Sequence, residues 1–257
     1  MNDEVVVVLF AGAVGAILGS FLNVCILRLP AEQSIVSPPS RCPKCGIGVR
    51  WYDNVPVLSW LLLRGRCRNC RNPISVQYPL VELATAVIWA WMAARFGSEL
   101  DAVAAALFLT LLLGIAMTDA REYIIPDEFS LGGLVLGLAL SLRHGVSGLM
   151  QAAIGAVVGF VVLWLVARLG RYAFKKEAMG GGDIKMMAMV GAFVGWQGVF
   201  LTIFLGSVVG TVIFGPLALA GKKKDVPFGI FLALGAAITL LWGNAVMEWY
   251  RGYVSGT

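Results

Sequence analysis

The sequence predicts an all-α polytopic membrane protein of about eight transmembrane helices, with a zinc-ribbon-like loop of four cysteines after the first. Three observations predict it. Of the 257 residues, 59% are hydrophobic and only 14% are Asp, Glu, Lys or Arg. The mean hydropathy is +0.83. Apolar runs of membrane-spanning length recur along the chain, and basic residues collect in alternate gaps between them. So few charges cannot cover a soluble surface, and so much apolar content excludes intrinsic disorder. The 31 glycines fit helices that pack closely in a membrane.

Residues 5–27 form the first run, long enough for a hydrocarbon core about 30 Å thick. The run follows Asn2, Asp3 and Glu4 instead of a basic stretch, so it reads as a retained helix and not as a cleavable signal. Residues 28–78 break the pattern with Pro, Arg, Cys and Asn and lie outside the lipid. Further runs follow at 79–95, 102–118, 129–142, 147–169, 184–195, 198–220 and 226–247. Those at 129–142 and 184–195 are short, as expected of segments shielded by protein or lining a cavity. The chain therefore divides into a first helix (1–27), a cysteine loop (28–78) and a membrane domain (79–257). Small-residue pairs at Gly15/Gly19, Gly155/Gly159, Gly191/Gly195 and Gly206/Gly210 are expected helix-packing positions.

Positive charge sets the orientation. With eight spans, 17 of the 20 basic residues share the side of the cysteine loop, including Lys176 and Lys222 to Lys224; only Arg95, Arg143 and Arg251 fall opposite. That places the cysteine loop in the cytoplasm and the N-terminus outside. It also assigns the net charge of +5 to topology and contact with the lipid bilayer, not to nucleic acid.

Cys42-Pro43-Lys44-Cys45 and Cys67-Arg68-Asn69-Cys70 make two C-x2-C pairs separated by 21 residues. Each pair aims two sulfurs at one point, and four thiolates satisfy tetrahedral zinc. Disulfides are the alternative, disfavoured in a reducing cytoplasm. Four cysteine ligands leave no open position, so such a zinc is structural and holds a loop with little core of its own. The apolar stretch between the pairs is too short to span. It is expected to pack on the membrane face or the helix bundle, with Trp51 and Trp60 at the interface. Cys25 reads as a small buried residue.

Acids within or beside membrane spans are costly and are functional suspects. Asp119 ends the third run, and Asp183 opens the sixth after Gly180-Gly181-Gly182. The topology puts both at one depth on one side. Two such carboxylates can share a proton and a water, the ionised one acting as base and the protonated one as acid. The glycines leave room for a peptide backbone. The alternative is that both are boundary acids, with Asp183 capping its helix. Asp127 reads as a cap of the following helix, and Glu82 as a buried acid paired with an Arg. The single His144 falls in an outside loop, which excludes a His-based triad with a cytoplasmic nucleophile.

These motifs occur together in one known family. The chain resembles the bifunctional type IV prepilin peptidases, or prepilin leader peptidase/N-methyltransferases, within the GxGD class of aspartyl membrane proteases. The resemblance rests on Gly19-Ser20-Phe21-Leu22-Asn23-Val24, the two C-x2-C pairs, Tyr78-Pro79-Leu80-Val81-Glu82, Asp119 with Ile125-Pro126-Asp127, Gly180 to Lys185, and Pro227-Phe228-Gly229. It implies that Asp119 and Asp183 are catalytic, supported by Gly180, Gly182, Lys185 and Asp127. It implies prepilin or type II secretion pseudopilin substrates in the bacterial inner membrane, cut at the cytoplasmic edge behind a short basic leader. It further implies methylation of the new N-terminal amine from S-adenosylmethionine, with Gly19, Asn23 and Glu82 as candidate residues. The chain departs from the family at Ile230, where the family often has proline. A reading from another class is a non-enzymatic membrane assembly factor that docks partners through its zinc loop. A third, a proton-coupled transporter, expects acids deeper within the helices than these.

Overall fold

The computed structural model describes residues 3–97, 99–175, 179–219 and 227–255. Lys176 and Lys222 to Lys224, which the charge count used, lie outside the described residues, as do residues 220 and 226 at the ends of two expected runs. Among the described residues the chain is almost wholly helical, with two isolated antiparallel bridges as its β pairing. It forms two compact units, Met1–Thr110 and Leu111–Thr257.

The first unit holds α1 (Asp3–Arg28), a 3-10 turn at Trp51–Asn54, the short α2 (Leu58–Leu62), α3 (Gln77–Phe96) and the start of α4 (Leu100–Glu122). Asp3 and Glu4 open α1 and Arg28 closes it, signs that suit the helix dipole. Pro79 sits in the first turn of α3, where no backbone N–H is missed. Helices α1 and α3 pack through glycines. A Cβ on Gly15 would stand 2.7 Å from the Thr85 carbonyl oxygen, and one on Gly19 2.7 Å from the Glu82 Cα.

Inside the loop the Ser59 hydroxyl donates to the Tyr52 carbonyl (2.9 Å) and accepts from the Val55 N–H (3.1 Å), which pins the turn before α2. Trp60 packs inward on Gly65, and its Nε1 donates to the Ile74 carbonyl. Trp51 points outward at 83% exposure. The two tryptophans expected together at an interface thus divide, one holding the loop and one leaving it.

The second unit holds the end of α4, α5 (Asp127–Ser141), a 3-10 turn at Leu142–His144, α6 (Gly145–Phe174), α7 (Gly181–Leu219) and α8 (Phe228–Ser255). Helices α6 and α7 approach until their backbones touch: a methyl group on Gly155 or Gly191 would overlap the other's carbonyl oxygen, and one on Gly159 that of Met187. Helices α7 and α8 meet at Gly206 and Gly235 and at a buried hydrogen bond between Thr202 and Thr239 (3.1 Å). Gly195, the expected partner of Gly191, shares the α6–α7 contact, its Cα 3.0 Å from where a Gly155 Cβ would stand, and has a second task. Its φ of 73° and ψ of 174° break α7, and nothing lies within 4 Å of where its Cβ would be.

Among the described residues, six helical stretches are long and apolar enough to cross a membrane: Asp3–Arg28, Gln77–Phe96, Leu100–Glu122, Asp127–Ala173, Gly181–Pro216 and Phe228–Tyr253. The protein is a multi-pass helical membrane protein, but the expected eight spans do not emerge as eight. Two short runs account for the difference. The run at 129–142 continues through the 3-10 turn into α6, and the run at 184–195 continues past Gly195 within α7.

Candidate functional site

The four loop cysteines come together, with their sulfurs within 4.8 Å of one another. Cys42 and Cys70 Sγ are 3.7 Å apart. That is close to the edge of a tetrahedron with metal–sulfur bonds of about 2.3 Å, roughly 3.8 Å. Backbone N–H groups of Cys45 and Lys44 hold the Cys42 thiol below the usual range, and that of Ile47 does the same for Cys45. The Asn72 N–H acts likewise on Cys70, but burial and the other three thiols outweigh it and push Cys70 up to about 11. Four thiols so grouped could hold a metal ion.

The two cysteine turns repeat one another at an offset of 25 residues. Cys42 N–H donates to Ile47 O as Cys67 N–H does to Asn72 O, and Gly46 N–H donates to Cys42 O as Arg71 N–H does to Cys67 O. The bridges Arg41–Gly48 and Arg66–Pro73 keep the same offset. Where the first turn has Gly46 at φ 70°, the second has Arg71 at φ 58°. A left-handed arginine costs about 1 kcal/mol that glycine avoids. Arg71→Gly is therefore expected to raise local stability by about 0.5 kcal/mol, read as slower amide exchange over residues 67–72. Arg68 clamps the loop with a bidentate ion pair to Asp53 at 2.6 Å, and these hydrogen bonds hold the Asp53 carboxyl below its usual value.

In the second unit three helix ends meet. Asp119 lies in the last turn of α4, Asp183 is the third residue of α7, and α8 begins at Phe228. Both carboxylates are buried, at 6% and 8% exposure, and Asp183 feels the charge of Asp119. Asp119 Oδ2 accepts a hydrogen bond from the Ile230 N–H at 3.1 Å. This N–H belongs to the first turn of α8, where donors lack helical partners and carry the positive end of the dipole.

Ile125 is the wedge between these ends. After α4 the chain turns at Tyr123, φ 56°, and brings Ile125 against both glycines of the site. A Cβ on Gly182 would stand 2.9 Å from Ile125 Cβ, and one on Gly229 would stand 2.9 Å from Ile125 Cδ1 and 2.8 Å from Asp119 Oδ2. Gly180 flanks Asp183, its would-be Cβ 3.4 Å from Asp183 Oδ2. Both glycines permit close approach to a carboxylate or its wedge.

Asp127 and Lys185 pair with each other. Lys185 Nζ reaches both Asp127 oxygens, at 2.7 and 2.8 Å, tying the start of α5 to that of α7. Asp127 is the first residue of α5, and the cap position is Pro126, so the expected side-chain cap is replaced by an ion pair. Ile125, Gly229 and Ile230 carry geometry that residue type alone did not mark. The only sequence signal for them was the resemblance at Ile125-Pro126-Asp127 and Pro227-Phe228-Gly229.

In the first unit, Gly19, Asn23 and Glu82 share the α1–α3 seam. Among the described residues Glu82 has no Arg partner of the kind expected. It accepts from the Val57 N–H at 2.7 Å and from Ser20. Asn23 Nδ2 donates to the carbonyls of Gly19 (3.2 Å) and Tyr78 (3.1 Å).

The chain matches the bacterial peptidase A24 N-terminal domain over residues 13–96 and the type IV leader peptidase family over residues 106–215. A prepilin leader peptidase/N-methyltransferase of Stutzerimonas stutzeri is 38% identical over 276 residues, which cover 97% of this chain and 95% of the relative. The protein so named from Pseudomonas aeruginosa is 38% identical, with coverage of 92% and 90%. That from Myxococcus xanthus is 42% identical over 218 residues, 85% of this chain and 65% of the relative's length. No solved structure matches.

Proposed function

The chain belongs to the type IV leader peptidase family, and from that membership we propose that Asp119 and Asp183 are the catalytic pair of a prepilin leader peptidase that also N-methylates its product. The observation that carries the reading is the meeting of two buried carboxylates around Ile125, one of them anchored by the first turn of α8. Like charges so placed favour a single shared proton. The ionised carboxylate takes a proton from water as the water oxygen attacks the scissile carbonyl. The protonated one donates to the carbonyl oxygen; as the tetrahedral diol collapses and its C–N bond breaks, the first carboxyl passes the water's proton to the departing amine and a diol hydroxyl returns a proton to the second. Gly181, with nothing within 4 Å of where its Cβ would be, leaves space for an extended substrate backbone beside Asp183, and the Asp127–Lys185 pair fixes the entry to α7. The substrates are prepilins or type II secretion pseudopilins whose apolar stems lie in the bilayer.

Zinc is the metal that fits the four-cysteine site, by its donor set and its sulfur spacing. It holds the loop and takes no part in the cut. Replacing Cys67 by Ser is expected to cost the bound zinc, measured as metal per chain, and to open residues 41–74 to proteolysis. S-adenosylmethionine supplies the methyl group, and the Gly19, Asn23 and Glu82 seam is the candidate site for that second activity. The basic residues of the 28–78 segment support a cytoplasmic loop in a bacterial inner membrane with the N-terminus outside, and the reading puts the paired aspartates on that same side.

The test uses purified protein in lipid, full-length prepilin and labelled S-adenosylmethionine. The expected product has lost its leader and carries the label on its new N-terminus. Cleavage without label would leave a peptidase alone. Absence of cleavage across several pilin-like substrates would return weight to the docking-factor reading.

A further inference from the structure

The α1–α3 seam holds an imbalance of hydrogen-bonding groups. Glu82 is buried at 7% exposure, and no Lys or Arg is among its partners in the described residues. A buried carboxylate without a cation is costly, and structures rarely keep one idle. Asn23 is buried at 1% exposure, and its Oδ1 has no hydrogen-bond partner although its Nδ2 has two. Asn23 lies one helical turn beyond Gly19, and Gly19 sits against the Glu82 Cα. Two buried acceptors thus lie at the one α1–α3 seam, Asn23 one helical turn from the glycine that packs on Glu82.

The cover of this seam is strained. Val57, whose N–H donates to Glu82, has φ 60° and ψ −51°. A β-branched residue in that conformation is a genuine outlier, and such strain collects at ligand sites. Spare acceptors, no Lys or Arg partner among the described residues and a strained cover define a ligand that brings N–H donors and a positive charge.

Resting on the family reading above, we propose that the seam around Glu82 and Asn23 is an ammonium-binding site that takes the amine of a methyl-transfer reactant. Two reactants carry such a group. One is the cleaved substrate, through its new N-terminus. The other is the methyl donor, through its α-amino group. Glu82 pairs with the charge, and Asn23 Oδ1 and the Ser20 hydroxyl oxygen accept the remaining N–H bonds. Val57 keeps the carboxylate aimed into the seam.

Binding to the whole protein in lipid nanodiscs tests the proposal without turnover. The probes are a mature-pilin peptide beginning with a free-amine Phe, its N-acetyl form, S-adenosylhomocysteine, and methylthioadenosine, which lacks the amino-acid part. Glu82→Gln keeps an acceptor for Val57 and removes the charge; Ser20→Ala is a milder second variant. Zinc content and melting temperature report the fold of each.

The expected result is a loss of about tenfold or more in affinity of Glu82→Gln for one amine-bearing probe, a smaller loss in Ser20→Ala, and none for its amine-free partner. Loss on the peptide assigns the site to the acceptor amine; loss on S-adenosylhomocysteine assigns it to the donor. Equal affinity of wild type and Glu82→Gln for all four probes, or no binding by wild type, overturns the proposal. Leader cleavage and methyl transfer by wild type in the same preparation show separately whether the family reading stands.

Discussion

Asp119→Asn and Asp183→Asn are each expected to lower prepilin cleavage by about a thousandfold or more, within the range for loss of a positioned acid or base. Neither amide can take the water's proton or share one with its partner. Both changes are isosteric, and each removes an ionisable acid from a buried site where a second carboxyl opposes its charge, so the melting temperature is expected not to fall. Groups that act as a unit lose activity together, so the double variant is expected to be no slower than either single one. The assay is leader removal from a prepilin in lipid, with zinc content as the folding control. Wild-type rates in either variant would remove that aspartate from the mechanism and bring Asp127 forward.

Gly229→Val is expected to cost about a hundredfold in cleavage, although the residue supplies no chemical group. Its new Cβ would meet Asp119 Oδ2 at 2.8 Å and Ile125 Cδ1 at 2.9 Å. Neither neighbour can give freely. Ile125 also sits against Gly182, and Asp119 is held by α8. The carboxylate must therefore swing away from its partner, and a displacement near 1 Å is enough for such a loss.

Ile230→Pro separates contact from charge. Proline in a first helical turn leaves α8 intact but removes the N–H that Asp119 uses. A loss of about tenfold is expected, the worth of one hydrogen bond to a charged group. A family member with proline at this position lacks this donor, and the departure at Ile230 gives this chain one. Unchanged rates in Gly229→Val would show that α8 does not position the pair.

The cysteines and the two aspartates were legible because their chemistry is carried by residue type and by place. Four thiols at C-x2-C spacing, or an acid at the end of an apolar run, stand out whatever surrounds them. The partners were not legible. Ile230 reaches Asp119 across 111 residues, through a backbone N–H that any residue but proline would supply. Glu82 was expected to face an Arg and instead meets the backbone of Val57, because no periodicity tells how a metal-held loop returns to its helices. The twofold character of the cysteine turns was hidden by unlike side chains, Gly46 against Arg71, over matching hydrogen bonds.

Helix α7 is 39 residues from end to end. As one straight rod it would measure about 58 Å, nearly twice the thickness of the hydrocarbon it inhabits. The turn at Gly195 resolves that mismatch by cutting the rod into a stub of about 21 Å and a full crossing of about 36 Å. Asp183 rides at the tip of the stub, which is clamped to α6 at Gly191, while the longer piece is riveted to α8 at Gly206. One glycine's backbone thus converts an over-long ruler into two lengths that a bilayer can accept, with Asp183 on the shorter of them.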